Sequence, residues 1–197
     1  MTQALHSYDP QQLSTYLEHH VGGFSGLSEI AKFSDGQSNP TYRITDTAGR
    51  HFVLRAKPPG TLLKSAHAVD REFRVMTALA KSAVPVPQML HLSGEDSPLG
   101  AQFLVMEHLE GRVFWDPALP EHSPKFRQDA YHALVRTLAA LHDVDPQAVG
   151  LADFGKPGNY FSRQVSRWTG QYRACETQSR PDMDWTIDWL DRNMVQD

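Results

Sequence analysis

Cysteine is almost missing from this 197-residue chain, in which Cys175 is the only one. A single thiol excludes an intramolecular disulfide and a zinc cluster built on cysteines. It suits a reducing compartment, and the cytoplasm is the default expectation. Long apolar runs are missing too: no uninterrupted hydrophobic stretch approaches the roughly 20 residues that span a bilayer, so no membrane partner is expected. Met1 to Pro10 has neither the basic start nor the apolar stretch of a secretory signal. There is no basic run, and 19 Lys and Arg against 23 Asp and Glu leave a formal charge of −4. That balance gives a nucleic-acid footprint no support and fits a small-molecule partner better. The 10 histidines are scattered; His19 and His20 are adjacent on an expected helix and point apart, and no His-x-x-x-His pair carries the Glu of a metalloprotease. With 40% hydrophobic and 21% charged residues, the chain has the make-up of an ordinary globular protein with one or two cores.

The pattern of apolar residues divides the chain into a strand-rich first part and a helical second part. Asp9-Pro10 is an N-cap followed by Pro at the first helical position and starts a helix to about Val21, with Leu13 and Leu17 on one face and Gly22-Gly23 at its end. From Leu27 to Ala56 the period changes to two, through Ile30–Phe33, Thr41–Ile44 and His51–Arg55, with a turn at Ala48-Gly49, as in an antiparallel meander. A helix is expected from about Ala66 to Lys81, where Val69, Phe73, Met76 and Ala80 recur at helical spacing, before Val84-Pro85-Val86-Pro87 stops it. Gln88–Leu92 and Ala101–His108 read as two further strands joined by a turn over 94–100. Ser123-Pro124 caps a helix with the stripe Phe126, Ala130, Leu134, Leu138 and Leu141. A second stripe, Phe161, Val165, Trp168, Tyr172 and Cys175, marks another helix whose aromatic residues are expected in a core rather than as a substrate platform, and Trp185 to Leu190 marks a third.

Four segments of the first part carry chemistry. Gly36, Ser38 and Asn39, between two strands, can turn backbone N–H groups and a hydroxyl toward phosphate oxygens, although Asp35-Gly36 is also an ordinary hairpin turn. Alternation along the third strand places Val53, Arg55 and Lys57 on one face, so either cation can reach phosphate, held by Glu72 from the following helix. Arg55 is preferred because it lies inside the strand, whereas Lys57 precedes Pro58-Pro59; the bland alternative is that Arg55 and Glu72 are surface charges without a shared partner. Arg offers a fixed fork to phosphate where Lys offers a point charge. Phe103–Leu109 is a buried strand turning polar. Backbone groups of Glu107 and Leu109 there can recognise the edge of adenine, with Met106 at the back of the pocket, although taken alone the segment is only a strand end.

In this order, the segments Phe-Ser-Asp-Gly-Gln-Ser-Asn-Pro-Thr-Tyr, Val-Leu-Arg-Ala-Lys-Pro-Pro-Gly, Arg-Glu-Phe-Arg-Val-Met, Val-Pro-Val-Pro and Phe-Leu-Val-Met-Glu-His-Leu-Glu-Gly-Arg resemble the aminoglycoside phosphotransferase family. The branch most resembled is related to the kinase-like domain fused to some acyl-CoA dehydrogenases. Leu141-His142, Gly150-Leu151, Tyr160–Gln164 and Arg167-Trp168 extend the likeness over nearly the whole chain. The resemblance implies an α+β, protein-kinase-like fold: a five-stranded antiparallel small lobe with one inserted helix, then the first helices of a mainly helical large lobe. The expected division is a nucleotide-binding lobe over 1–110 and a partial helical lobe over 111–197. ATP or GTP as donor, magnesium as cofactor and a small-molecule hydroxyl as acceptor are also implied, with Gly36, Ser38, Asn39, Arg55, Glu72, Met106, Glu107 and Leu109 holding the nucleotide.

No His-x-Asp followed four residues later by Asn occurs, so no catalytic or metal-binding residue is assigned within this chain; the catalytic loop is expected beyond Asp197. Asp153-Phe154-Gly155 and Leu141-His142-Asp143-Val144-Asp145 imitate kinase motifs in the wrong context. Arg163 and Arg167, four apart on a helix, can attract an anionic acceptor, but a solvated face or pairing with nearby acids is the favoured reading. The alternative to a phosphotransferase is a non-catalytic nucleotide-binding or interaction module. The acceptor and the oligomeric state are not encoded in any of these segments.

Overall fold

A computed structural model of the chain describes residues 8–33, 39–58, 67–155 and 158–195. The chain packs as two compact units, Met1–Leu151 and Ala152–Asp197.

The first unit opens with α1 (Pro10–His20), whose cap is the one the sequence specifies: the Asp9 carboxylate accepts from the Gln11 N–H at 2.8 Å and Pro10 follows it. The three strands β1 (Leu27–Lys32), β2 (Thr41–Asp46) and β3 (His51–Ala56) form the expected antiparallel meander. After α2 (Val69–Leu79) come β4 (Met89–Leu92) and β5 (Phe103–Glu107), and β5 inserts between β3 and β4 to give the order β1-β2-β3-β5-β4. All four pairings are antiparallel.

Strand alternation gives this sheet two working faces. Ile44, Leu54, Phe103 and Val105 point to one side, where Leu13 and Leu17 of α1 complete a core from which water is excluded. The opposite face carries Val53 and Arg55 beside Met106 and Leu104, and α2 packs over β4 and β5 there.

α2 is shorter than its periodicity predicts. It starts at Val69 because His67 holds a left-handed backbone, with φ of 59°, and that conformation cannot continue a helix. It ends at Leu79, whose carbonyl accepts from the Ser82 hydroxyl at 2.7 Å.

Downstream, α3 (Pro124–His142) is capped by Ser123, whose hydroxyl oxygen accepts from the Phe126 N–H at 3.2 Å. In the second unit, Arg173 of α4 (Tyr160–Cys175) bridges to Glu176 at 3.0 Å and to Asp184 of α5 (Pro181–Arg192) at 2.5 Å. The helical spacings hold, but the core expected for the aromatic residues of α4 does not. Leu134, Leu138 and Leu141 of α3 and Phe161 and Trp168 of α4 are all exposed. Periodicity marks which face of a helix is apolar and is silent about what covers it.

Candidate functional site

Arg55 is the centre of the polar face of the sheet. Its Nε donates to Glu72 Oε2 at 2.9 Å and its Nη1 donates to the Thr41 hydroxyl at 2.8 Å. β3, α2 and β2 therefore each contribute one group to a single cluster. Thr41 stands opposite Arg55 in the strand register, and Glu72 lies in the first turn of α2. Both charged side chains are roughly a quarter exposed, 27% and 28%, so the pair keeps a solvent-facing side. This contact removes the reading of Arg55 and Glu72 as unrelated surface charges.

Two contacts fix the plane of the guanidinium, which carries five N–H donors in a rigid fork. Among the described residues nothing bonds to its third nitrogen, Nη2. A fixed cation with spare donors on a half-open face can hold a phosphate or carboxylate oxygen. Lys57, two residues on, is engaged elsewhere: Nζ lies 2.7 Å from Glu95 Oε1 and its N–H donates to the Gln102 carbonyl at 3.0 Å. The cations that alternation placed on one face thus have different carboxylate partners.

Asn39 is nearly buried, at 7% exposure, and its side-chain oxygen lies 2.8 Å from His67 Nδ1. Its carbonyl accepts from the Thr41 hydroxyl at 3.0 Å. Asn39 is accordingly turned into the protein. Gly36 and Ser38 lie outside the described residues.

At the far end of β5, the Glu107 N–H donates to the Gln88 carbonyl at 2.9 Å, while the Gln88 N–H donates to the Glu107 carboxylate at 3.1 Å. The backbone ladder therefore stops with the Glu107 N–H used. Leu109, two residues on, is exposed, and its amide has no partner among the described residues. Met106 stands opposite both Val53 and Met89. Phe33, at the end of β1, and His108 stack with ring centroids 6.4 Å apart and planes 10° from parallel, so aromatic surface borders this strand end.

Sequence reasoning missed Thr41, His67 and the Phe33–His108 pair. Thr41 becomes legible only when the strands are registered, because it faces Arg55 across β2 and β3. His67 sits in Ser-Ala-His-Ala, which has no turn signature. At the end of α3 the backbone N–H of Asp143 donates to the Ala139 carbonyl at 3.0 Å, and the Asp145 carboxylate accepts from the Gln147 N–H at 2.8 Å, so this imitation motif closes the helix and shapes a local turn. Among the described residues no three His, Cys, Asp or Glu side chains converge to hold a metal.

An antiparallel five-stranded sheet with a helix inserted after its third strand, and a cation on that strand paired to a carboxylate on that helix, defines the small lobe of a kinase-like protein. The chain belongs to the phosphotransferase enzyme family, whose model matches residues 29–197. Among curated relatives it is 49% identical over 179 residues to acyl-CoA dehydrogenase family member 10 of Mus musculus, covering 90% of this chain and 17% of that protein. It is 41% identical over 193 residues to acyl-CoA dehydrogenase family member 11 of Homo sapiens, covering 96% of this chain and 25% of that protein. A crystal structure of a provisionally assigned aminoglycoside phosphotransferase from Ralstonia eutropha JMP134 superposes with a TM-score of 0.75 at 45% identity, covering 96% of this chain and 55% of that one. The chain thus spans a quarter or less of these two curated relatives and about half of the solved one.

Proposed function

We propose that this chain is the nucleotide-holding part of a phosphotransferase that moves the terminal phosphoryl group of ATP or GTP to a hydroxyl of a small molecule. The observation that carries this reading is the Arg55–Glu72 contact of 2.9 Å, seated where β3 meets α2. Glu72 and Thr41 hold the guanidinium plane, and Arg55 Nη2 faces the phosphates; Gly36 and Ser38 add backbone and hydroxyl donors. The Glu107 carbonyl and the Leu109 N–H serve the base edge, because the Glu107 N–H is already used by Gln88, and Met106 closes the back of the base pocket.

In phosphoryl transfer the protein contributes positioning and charge compensation more than covalent chemistry. Arg55 would contribute both at the donor phosphates. Magnesium, when bound, neutralises phosphate charge; we assign neither its ligands nor the acid that orients the acceptor hydroxyl to a residue of this chain, and place the lobe boundary near 110. The lone Cys175 is exposed and suits a reducing compartment such as the cytoplasm. Among the described residues no helix is long and apolar enough to cross a membrane.

Isothermal titration with ADP and ATP tests the reading. Wild-type protein should bind, and Arg55→Ala should bind roughly ten- to a hundredfold more weakly, the usual cost of losing a charge-assisted hydrogen bond. Absence of wild-type binding at millimolar nucleotide would sink it.

A further inference from the structure

Resting on the nucleotide reading above, we propose that His67 is a positioning residue for the phosphate-facing cation, acting through Asn39 and Thr41 on Arg55. A directed line of hydrogen bonds joins them. Arg55 can only donate, so Thr41 must accept from Nη1, at 2.8 Å. The single Thr41 proton is then left for the Asn39 carbonyl, 3.0 Å away. Asn39 in turn is held through its side-chain oxygen, 2.8 Å from His67 Nδ1. That oxygen only accepts, which assigns the imidazole proton to Nδ1.

The line is embedded in the sheet. At Thr41 and at Pro40, between it and Asn39, the backbone is stitched down, by the Phe33 N–H donating to the Thr41 carbonyl at 3.1 Å and the Ala56 N–H donating to the Pro40 carbonyl at 3.0 Å. Asn39 is almost completely buried, so water cannot readily replace His67 as its partner.

His67 is itself held in an uncommon state. Its φ of 59° places a non-glycine residue in the left-handed region, which persists only where neighbouring contacts favour it. The Val69 N–H donating to the His67 carbonyl at 2.9 Å is one such contact and the Asn39 bond is another. This conformation ends the approach to α2 and aims the imidazole at Asn39.

The α2 segment therefore acts at both ends of the line: His67 lies two residues before the helix, and Arg55 at the other end is held by Glu72 in its first turn. Glu72 alone would hold Arg55 at one nitrogen and leave its plane free to swing about that contact. The second contact, through Thr41, removes that freedom, and His67 secures it from the far end. Orientation of a planar fork decides how well it meets phosphate oxygens.

The test compares ADP with adenosine, which lacks the phosphates, on the intact protein. His67→Gly keeps the left-handed backbone and removes the imidazole; His67→Asn tolerates that backbone and keeps a donor. Titration should show ADP affinity falling roughly five- to tenfold in His67→Gly and staying within about twofold of wild type in His67→Asn, with adenosine affinity within about twofold in both. Thr41→Val, which cuts the line one link further on, should reproduce the selective ADP loss, and it decides the matter if the glycine variant does not fold. ADP affinity within about twofold of wild type in both His67→Gly and Thr41→Val would overturn the role of His67, as would a parallel fall for ADP and adenosine. Wild-type protein that binds no ADP would instead overturn the nucleotide reading, and this role with it.

Discussion

Single residues in this chain differ sharply in how far the sequence reveals their work. Strand alternation and the kinase-like order of segments put Arg55 and Glu72 forward as a pair while helical phase left the pairing open, and Thr41 and His67 depend on register and on one unusual backbone angle. Asp46 is a further case, a buried carboxylate that organises the turn between β2 and β3. It accepts from the N–H groups of Ala48 and Arg50 at 2.9 and 2.8 Å and pairs with Arg50 Nη2 at 2.7 Å. Burial alone would raise its pKa, but the backbone donors and the Arg50 charge outweigh that and hold it below the usual carboxylate range. A lowered folded-state pKa means that the contribution of Asp46 is fully present above the unfolded value near pH 4 and is lost as pH falls through the folded value. Asp46→Asn should therefore cost about 1–3 kcal/mol at pH 7 and progressively less in acid. Thermal melting of both proteins from pH 7 to pH 3 checks this, and a gap that widens in acid would contradict it.

At the scale of elements, the type and order of all five strands, of α2 and of the downstream helices could be read from periodicity and from Gly and Pro punctuation. What periodicity could not supply was packing. Leu17 of α1 and Leu138 of α3 occupy equivalent places in their apolar stripes, yet Leu17 is 0% exposed and Leu138 49%. Leu17→Ala should cost about 2–5 kcal/mol because it opens a cavity between α1 and the sheet. Leu138→Ala should stay within about 0.5 kcal/mol. Urea unfolding of the two variants side by side measures the contrast, and equal costs would mean that α3 is covered.

Across the whole molecule, the four tryptophans report the same contrast: Trp115, Trp168, Trp185 and Trp189 are all exposed, the least exposed of them at 48%. Native tryptophan emission should accordingly lie close to that of the unfolded chain, while circular dichroism shows a full transition; a strongly blue-shifted native spectrum would contradict the exposed helical faces. The placement of β5 between β3 and β4 also bears on how the chain reaches this state. The meander β1-β2-β3 and the β4–β5 hairpin each close on neighbours in sequence, but Phe52 must find Glu107 and Ala56 must find Phe103 to join them. Those partners lie roughly fifty residues apart, and the entropy of closing so long a loop precedes any reward from the contact. Two locally ordered pieces forming early, and a slower step in which β5 docks on β3, is the kinetic order this topology imposes.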